Sequence, residues 1–230
     1  MSIELRSRRG AVGTSWHAVA LRDGAERLLG PARVGRGKAD ARAGRVQWLD
    51  VDAGAARGDV LDADGERYQA RLELPAFREG DRQAFIQVAQ AHPELPARLA
   101  AGEYPQQIEE ELAASVVSLL PRDASELSHD CSCLDWPGPC RHVSALLYVL
   151  VEAVDDRPLL LLTLRGLALE DLVAPAIPVD QEPGTDTADG ADGSAVAATA
   201  PPTAFDPART DPARLAEVVG EEVAAVLHSF

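Results

Sequence analysis

The stretch C-S-C-L-D-W-P-G-P-C-R-H-V-S-A-L-L-Y-V-L-V-E-A-V, residues 131–154, contains every cysteine of the chain and runs directly into an apolar repeat. Cys131, Cys133, Cys140 and His142 offer three thiolates and an imidazole, a complete tetrahedral set for Zn2+ with no position left open for water or substrate. In an extended strand, residues i and i+2 point to the same side, so Cys131 and Cys133 can grip one ion from one face. Pro137-Gly138 is a turn signal that can reverse the chain and bring Cys140 back. Val143, Leu146, Leu147, Leu150, Val151 and Val154 then recur at the spacing of an amphipathic helix, which places His142 in its first turn. The expected unit is a short hairpin followed by a helix, with a structural ion tying the turn to the helix start.

Other uses of these residues fit less well. A disulfide would pair two cysteines and strand the third, and the arginine-bearing start without an apolar leader predicts a cytoplasmic, reducing setting. A catalytic thiol would leave three thiolates competing for one base, with no oxyanion donor identifiable. An iron–sulfur redox centre also accepts three cysteines and a histidine and stands as the distant alternative. Small proteins of the CDGSH type, however, use a longer spacing with an Asp-Gly-Ser absent here. His129 is a fifth candidate ligand, read as a polar strand residue because four donors suffice.

The C-x-C-x6-C-x-H pattern, with Asp135-Trp136 in its loop and His142 to Leu150 following, resembles a SWIM zinc finger. The chain is similar in particular to the stand-alone bacterial SWIM-domain proteins. Those proteins carry a Leu/Phe-Pro-Arg before the finger and a Leu-Arg-Gly after it, matched by Leu120-Pro121-Arg122 and Leu164-Arg165-Gly166. Gly13-Thr14-Ser15-Trp16 and Gly35-Arg36-Gly37-Lys38 are weaker echoes of two upstream motifs, so the resemblance extends over about residues 10–172. It implies that Cys131, Cys133, Cys140 and His142 are zinc ligands. It also implies a DNA-binding or protein-binding role, in the company of helicase-like ATPases, transposases and ubiquitin ligases.

The remaining sequence predicts an α+β fold: a small antiparallel sheet with several helices, then a ββα SWIM-type finger, a disordered linker and a terminal helix. A helix is expected over Ser15 to Leu29 and a Gly- and Arg-rich loop over Gly30 to Gly44. Val46 to Val51, Val60-Leu61 and the alternating Arg67 to Leu74 read as strands, with Asp62 to Gly65 as a turn. Asp59, Asp62 and Asp64 superficially resemble a calcium loop, but the bidentate Glu such a loop needs is missing, so a solvated hairpin turn is expected. Helices follow over Asp81 to Ala91, Pro96 to Ala101 and Pro105 to Ala114, the last with Ile108, Leu112 and Val116 on one face. The expected organisation is an N-terminal region with a basic front over 1–125, the finger and following helices over 126–172, an acidic linker over 173–209 and an amphipathic helix over 210–230.

Charge is distributed unevenly. Residues 1–48 hold ten Lys or Arg against four acids, whereas the rest holds 12 basic and 33 acidic residues, for a net charge of −15. The basic front is a possible footprint for phosphate. Aromatic residues for stacking on bases are scarce there, with Trp16 and Trp48 nearby. No apolar run approaches the roughly 18 residues needed to span a bilayer. Residues 173–208 contain no Lys or Arg and too little apolar surface to offset chain entropy. Beyond them, Asp211-Pro212 can start a helix on which Leu215, Val218, Val219, Val223, Val226, Leu227 and Phe230 share a face, able to fold back or to dock in a partner's groove. The sequence lacks a Gly-x-x-x-x-Gly-Lys loop, an H-E-x-x-H and the zinc-deaminase pattern. The reading is therefore a non-catalytic zinc-stabilised adaptor that binds DNA, a protein such as a helicase-like ATPase, or both; the alternative is a purely protein-binding scaffold.

Overall fold

The computed structural model describes residues 5–173 other than 8, 30, 134, 136 and 137. The expected linker beyond Val173 and the expected helix over 210–230 lie outside the described residues, as do Leu134, Trp136 and Pro137 of the expected turn. The fold is mixed α+β. Two helices, α1 (Trp16–Leu29) and α2 (Pro31–Arg42), lead into strands β1 (Asp50–Asp52), β2 (Ala55–Leu61) and β3 (Arg67–Glu73). Helices α3 (Glu79–Ala91), α4 (Leu95–Ala100) and α5 (Gln106–Leu112) follow, then β4 (Ser128–Cys131), α6 (Arg141–Asp156) and α7 (Leu159–Leu164). The strands form one antiparallel sheet in the order β1-β2-β3-β4.

Helix α6 is the centre of the described fold. Every residue from His142 to Val151 is buried, as is Val154. The apolar spacing in the sequence marks one face, yet Ser144, Ala145, Tyr148 and Val149 are buried as well. The reason is that α6 is covered on two sides: α1 and α2 pack on one, and the inner positions of β2 and β3, including Ala56, Val60, Ala70 and Leu72, pack on the other. A helix enclosed in this way needs apolar or small residues all round. Its one large polar side chain on the α1–α2 side is satisfied: Tyr148 Oη donates to Glu26 Oε1 at 2.5 Å, and Lys38 Nζ lies 4.9 Å from the centre of the ring. Burial and the Glu26 carboxylate push the Tyr148 phenol well above its usual range, so it remains a donor.

The expected loop over Gly30 to Gly44 is instead helix α2. The glycines that suggest a loop serve a different purpose, at least at Gly37. A Cβ built there would lie 2.3 Å from Ser144 Cβ and 2.8 Å from its backbone carbon. Gly37 thus lets two helix backbones approach to a distance that no side chain tolerates. A second difference concerns Val116, expected on the apolar face of α5. The helix gives way after Leu112 to a short 3₁₀ turn, and Val116 has φ 57° and is 66% exposed. The strand expected over Val46 to Val51 narrows to β1 and a single bridge between Val46 and Val60.

The last turns of α6 also hold the N-terminal segment. Glu152 accepts from the backbone N–H groups of Arg6 and Ser7 at 2.8 and 3.1 Å. Asp155 accepts from those of Thr14 and Ser15 at 3.0 and 2.8 Å, just before α1 begins. Burial alone would raise the Asp155 pKa, but the hydrogen bonds from Ser15 and Thr14 together hold it below the usual carboxylate range. The two motifs flanking the finger meet at Glu126. Arg165 is buried, donates to the carbonyls of Leu119, Leu120 and Pro75 at 3.2, 2.9 and 2.9 Å, and pairs with Glu126 at 3.2 Å. Arg122 pairs with the same carboxylate. Gly166, at φ 74°, takes the left-handed conformation that ends α7.

Two expectations follow. Gly37→Val destabilises the fold by about 2 to 3 kcal/mol through overpacking, whereas Gly35→Ala, with nothing within 4 Å of the added methyl, stabilises α2 by about 0.5 to 1 kcal/mol. Urea midpoints at unchanged m-value measure both. Asp155→Ala costs about 1 kcal/mol at neutral pH, because it removes the acceptor of the Thr14 and Ser15 backbone N–H groups. Because the folded pKa of Asp155 is depressed, its contribution is full above the unfolded pKa of about 3.9 and is lost as pH falls through the folded value. Wild type and variant should therefore differ in melting temperature from neutrality down to about pH 4 and converge as pH falls further, through the depressed folded value.

Candidate metal centre

The four sequence-nominated residues come from three local structures. Cys131 is the last residue of β4, aligned with Ala70 of β3. Cys133 lies in the turn that follows rather than on the strand, so the two thiols are not presented by one strand face as expected. That turn is pinned to the sheet: Ser132 N–H donates to Gln69 O at 3.0 Å, and Gln69 N–H donates to Ser132 Oγ at 2.9 Å. Within 126–172, β4 is the one strand described, and in place of the expected hairpin partner its antiparallel neighbour is β3, across helices α3 to α5 in sequence. Cys140 occupies the position before α6, with extended backbone (φ −84°, ψ 175°), and its carbonyl accepts the helix's first hydrogen bond from Ser144 at 3.2 Å. His142 follows in the first turn.

These elements bring the ligand atoms of Cys131, Cys133, Cys140 and His142 to within 4.8 Å of one another. Cys131 Sγ lies 3.8 Å from His142 Nδ1. A tetrahedral zinc with Zn–S bonds of about 2.3 Å and a Zn–N bond of about 2.0 Å requires donor separations of roughly 3.5 to 3.8 Å. The donor set therefore fits the ion in number and chemistry, and the Cys131–His142 separation fits it in scale. The electrostatics agree. Hydrogen bonding from Cys131, then from His142 and the Val143 N–H at the helix start, holds the Cys140 thiol far below its usual range. Sharing its proton with Cys140, together with burial, pushes Cys131 up, and burial pushes Cys133 up. One thiolate, that of Cys140, is thus favoured at the positive end of α6, beside two further thiols that a bound divalent cation would deprotonate.

His142 is 5% exposed and fixed on two sides. Its ring stacks on Tyr68 with centroids 4.7 Å apart and planes 15° from parallel. Its Nε2 faces Asp62 Oδ2 at 3.2 Å. Asp62 belongs to the turn expected to be solvated, and the turn is there between β2 and β3, but its carboxylate is 19% exposed and pairs with Arg141 and, at 3.7 Å, with Arg45. Asp40 completes a ring of charges, 3.2 Å from Arg45 and 3.5 Å from Arg141. Neither Asp62 nor Tyr68 is legible as a site residue in the sequence, because each lies more than 70 positions from His142 in an ordinary hairpin. His129, the fifth candidate, stays in β4 opposite Leu72 and is not among the converging donors.

Residues 116–150 match the family model of the SWIM zinc finger. Over 172 residues, 75% of this chain, the sequence is 36% identical to an uncharacterized protein of Mycobacterium tuberculosis, Rv2102. The chain spans 62% of that protein's length. No solved structure matches. The span that matches the SWIM zinc finger covers all four converging donors, and a set of three cysteines and one histidine so placed fits structural Zn2+.

Proposed function

We propose that Cys131, Cys133, Cys140 and His142 are the four zinc ligands and that the chain is a non-catalytic adaptor, its zinc-locked fold presenting a surface to a protein partner. The observation that carries this reading is the closure of the donor set: four protein ligands within 4.8 Å of one another leave no coordination position for a substrate. Structural zinc of this kind supplies folding free energy, about 10 to 16 kcal/mol in isolated finger peptides. Here the effect spreads, because β4 and α6 share one core with the sheet and with α1 and α2.

The charge arrangement favours protein over DNA. Of the ten basic residues in 1–48, Arg6, Arg22, Lys38, Arg42 and Arg45 have partners within the chain, Asp156, Asp23, Glu26, the carbonyls of Ser7 and Gly10, and Asp40 respectively, the Arg6 pair lying at the surface. The basic front is thus partly consumed by structure, on a chain of net charge −15. A helicase-like ATPase is the partner class that the SWIM resemblance suggests. Contact with DNA is the second reading, favoured by the exposed Arg9, Arg27 and Arg36. Cytoplasmic placement belongs to the same proposal; what is established is that, among the described residues, no helix is long and apolar enough to cross a membrane.

Cys140→Ser tests the ligand assignment cleanly, since serine is a good helix-capping residue and preserves the start of α6. One zinc per wild-type chain by elemental analysis, and a variant that loses the metal and melts well below wild type, are the expected results. A variant that keeps one zinc and an unchanged melting temperature contradicts the assignment. For the partner, zinc-loaded protein should recover a stoichiometric protein that the Cys140→Ser variant does not. If DNA is the target instead, three arginine contacts give a slope of log K against log salt of about −3. Absence of duplex binding at low salt removes that second reading.

A further inference from the structure

We infer that Asp62 is the positioning residue of the metal centre: from the β2–β3 turn, 80 residues upstream, it orients His142 and sets which ring nitrogen faces the ion. The inference rests on the assignment of His142 as a ligand. It goes beyond that assignment, because nothing in the finger motif requires a residue outside residues 131–142.

A neutral imidazole carries one N–H and one lone pair, and a carboxylate only accepts. Asp62 Oδ2 lies 3.2 Å from Nε2, so the proton belongs on Nε2 and the lone pair on Nδ1. Nδ1 is the nitrogen turned toward the thiols, 3.8 Å from Cys131 Sγ. The stacked Tyr68 ring fixes the plane of the imidazole, while Asp62 fixes its rotation within that plane.

The carboxylate is itself held. Arg141 and Arg45 engage Oδ1, leaving Oδ2 for the imidazole, and Asp40 spans the same two guanidinium groups. The backbone at Asp62 is fixed by its N–H donating to Glu66 O at 2.8 Å. The centre therefore has an outer shell built from the end of α2, the β2–β3 turn and the start of α6. Carboxylate–histidine–metal arrangements raise ligand basicity and lock the tautomer, and their removal typically weakens metal affinity by about 10- to 100-fold.

Zinc competition against a fluorescent chelator, on the full chain, tests this with four variants. Asp62→Ala should bind zinc about 10- to 100-fold more weakly than wild type. Asp62→Asn, whose amide oxygen still accepts from Nε2–H, should recover most of the loss. Asp40→Asn disturbs the same ring of charges without touching the imidazole and should leave affinity within about threefold, which separates positioning from general stabilisation of the turn. Proton–nitrogen correlation spectra of the zinc-loaded protein add a tautomer readout: a protected Nε2–H at His142 in wild type and Asp62→Asn, absent in Asp62→Ala.

His142→Ala isolates the underlying assignment. If it binds zinc as tightly as wild type, the ligand reading fails, whatever the Asp62 variants do. If it binds weakly while Asp62→Ala stays within threefold of wild type or retains the protected Nε2–H, the role of Asp62 is overturned. Equal losses in Asp40→Asn and Asp62→Ala overturn it as well.

Discussion

The rest of the structure depends on the burial of α6. A helix with ten consecutive residues, His142 to Val151, withdrawn from solvent cannot exist alone in water. It requires covering on both sides, and the fold is the arrangement that supplies this: a sheet on one side and a helix pair on the other. Close approach is needed for the second cover, which is why glycine stands at position 37 opposite Ser144. The polar ends of α6 are then used to fasten what covers it. At its C-terminal end Glu152 and Asp155 take backbone N–H groups from the N-terminal segment, and at its start lie Cys140, Arg141 and His142.

Zinc in this account is a clamp between the start of that buried helix and the last strand of the sheet. β4 ends at Cys131, Cys133 sits in the turn beyond it, and Cys140 and His142 bracket the beginning of α6. The finger is therefore continuous with the N-terminal sheet, which contributes β3 as the partner strand and Asp62 and Tyr68 around His142. The same logic places the two flanking motifs. Leu120-Pro121-Arg122 and Leu164-Arg165-Gly166 are far apart in sequence, but Arg122 and Arg165 converge on Glu126, immediately before β4, and brace the approach to the finger.

What was legible in the sequence is what is local. The four converging residues occupy 12 consecutive positions, and the apolar spacing of α6 survives even though the helix is buried all round. Charge-rich or glycine-rich segments were legible only in composition. Gly35 and Gly37 read as loop formers, yet one serves a backbone contact that requires Ser144, more than 100 residues away. The N-terminal basic residues read as a polyanion footprint, but five of the ten, Arg6, Arg22, Lys38, Arg42 and Arg45, are paired with acids or carbonyls, most of which sequence alone does not place beside them. Asp62 reads as a turn aspartate, and only the antiparallel register of β2 and β3, which sets the turn against α6, reveals its contact with His142.

A zinc-edge X-ray absorption measurement on the purified, zinc-loaded chain tests the central claim most directly, because it reads the donor atoms themselves. The account predicts a four-coordinate shell of three sulfurs at about 2.3 Å and one nitrogen at about 2.0 to 2.1 Å, with imidazole outer-shell scattering. A shell with fewer than three sulfurs, or with an oxygen donor in the fourth position, contradicts a closed structural site built from Cys131, Cys133, Cys140 and His142.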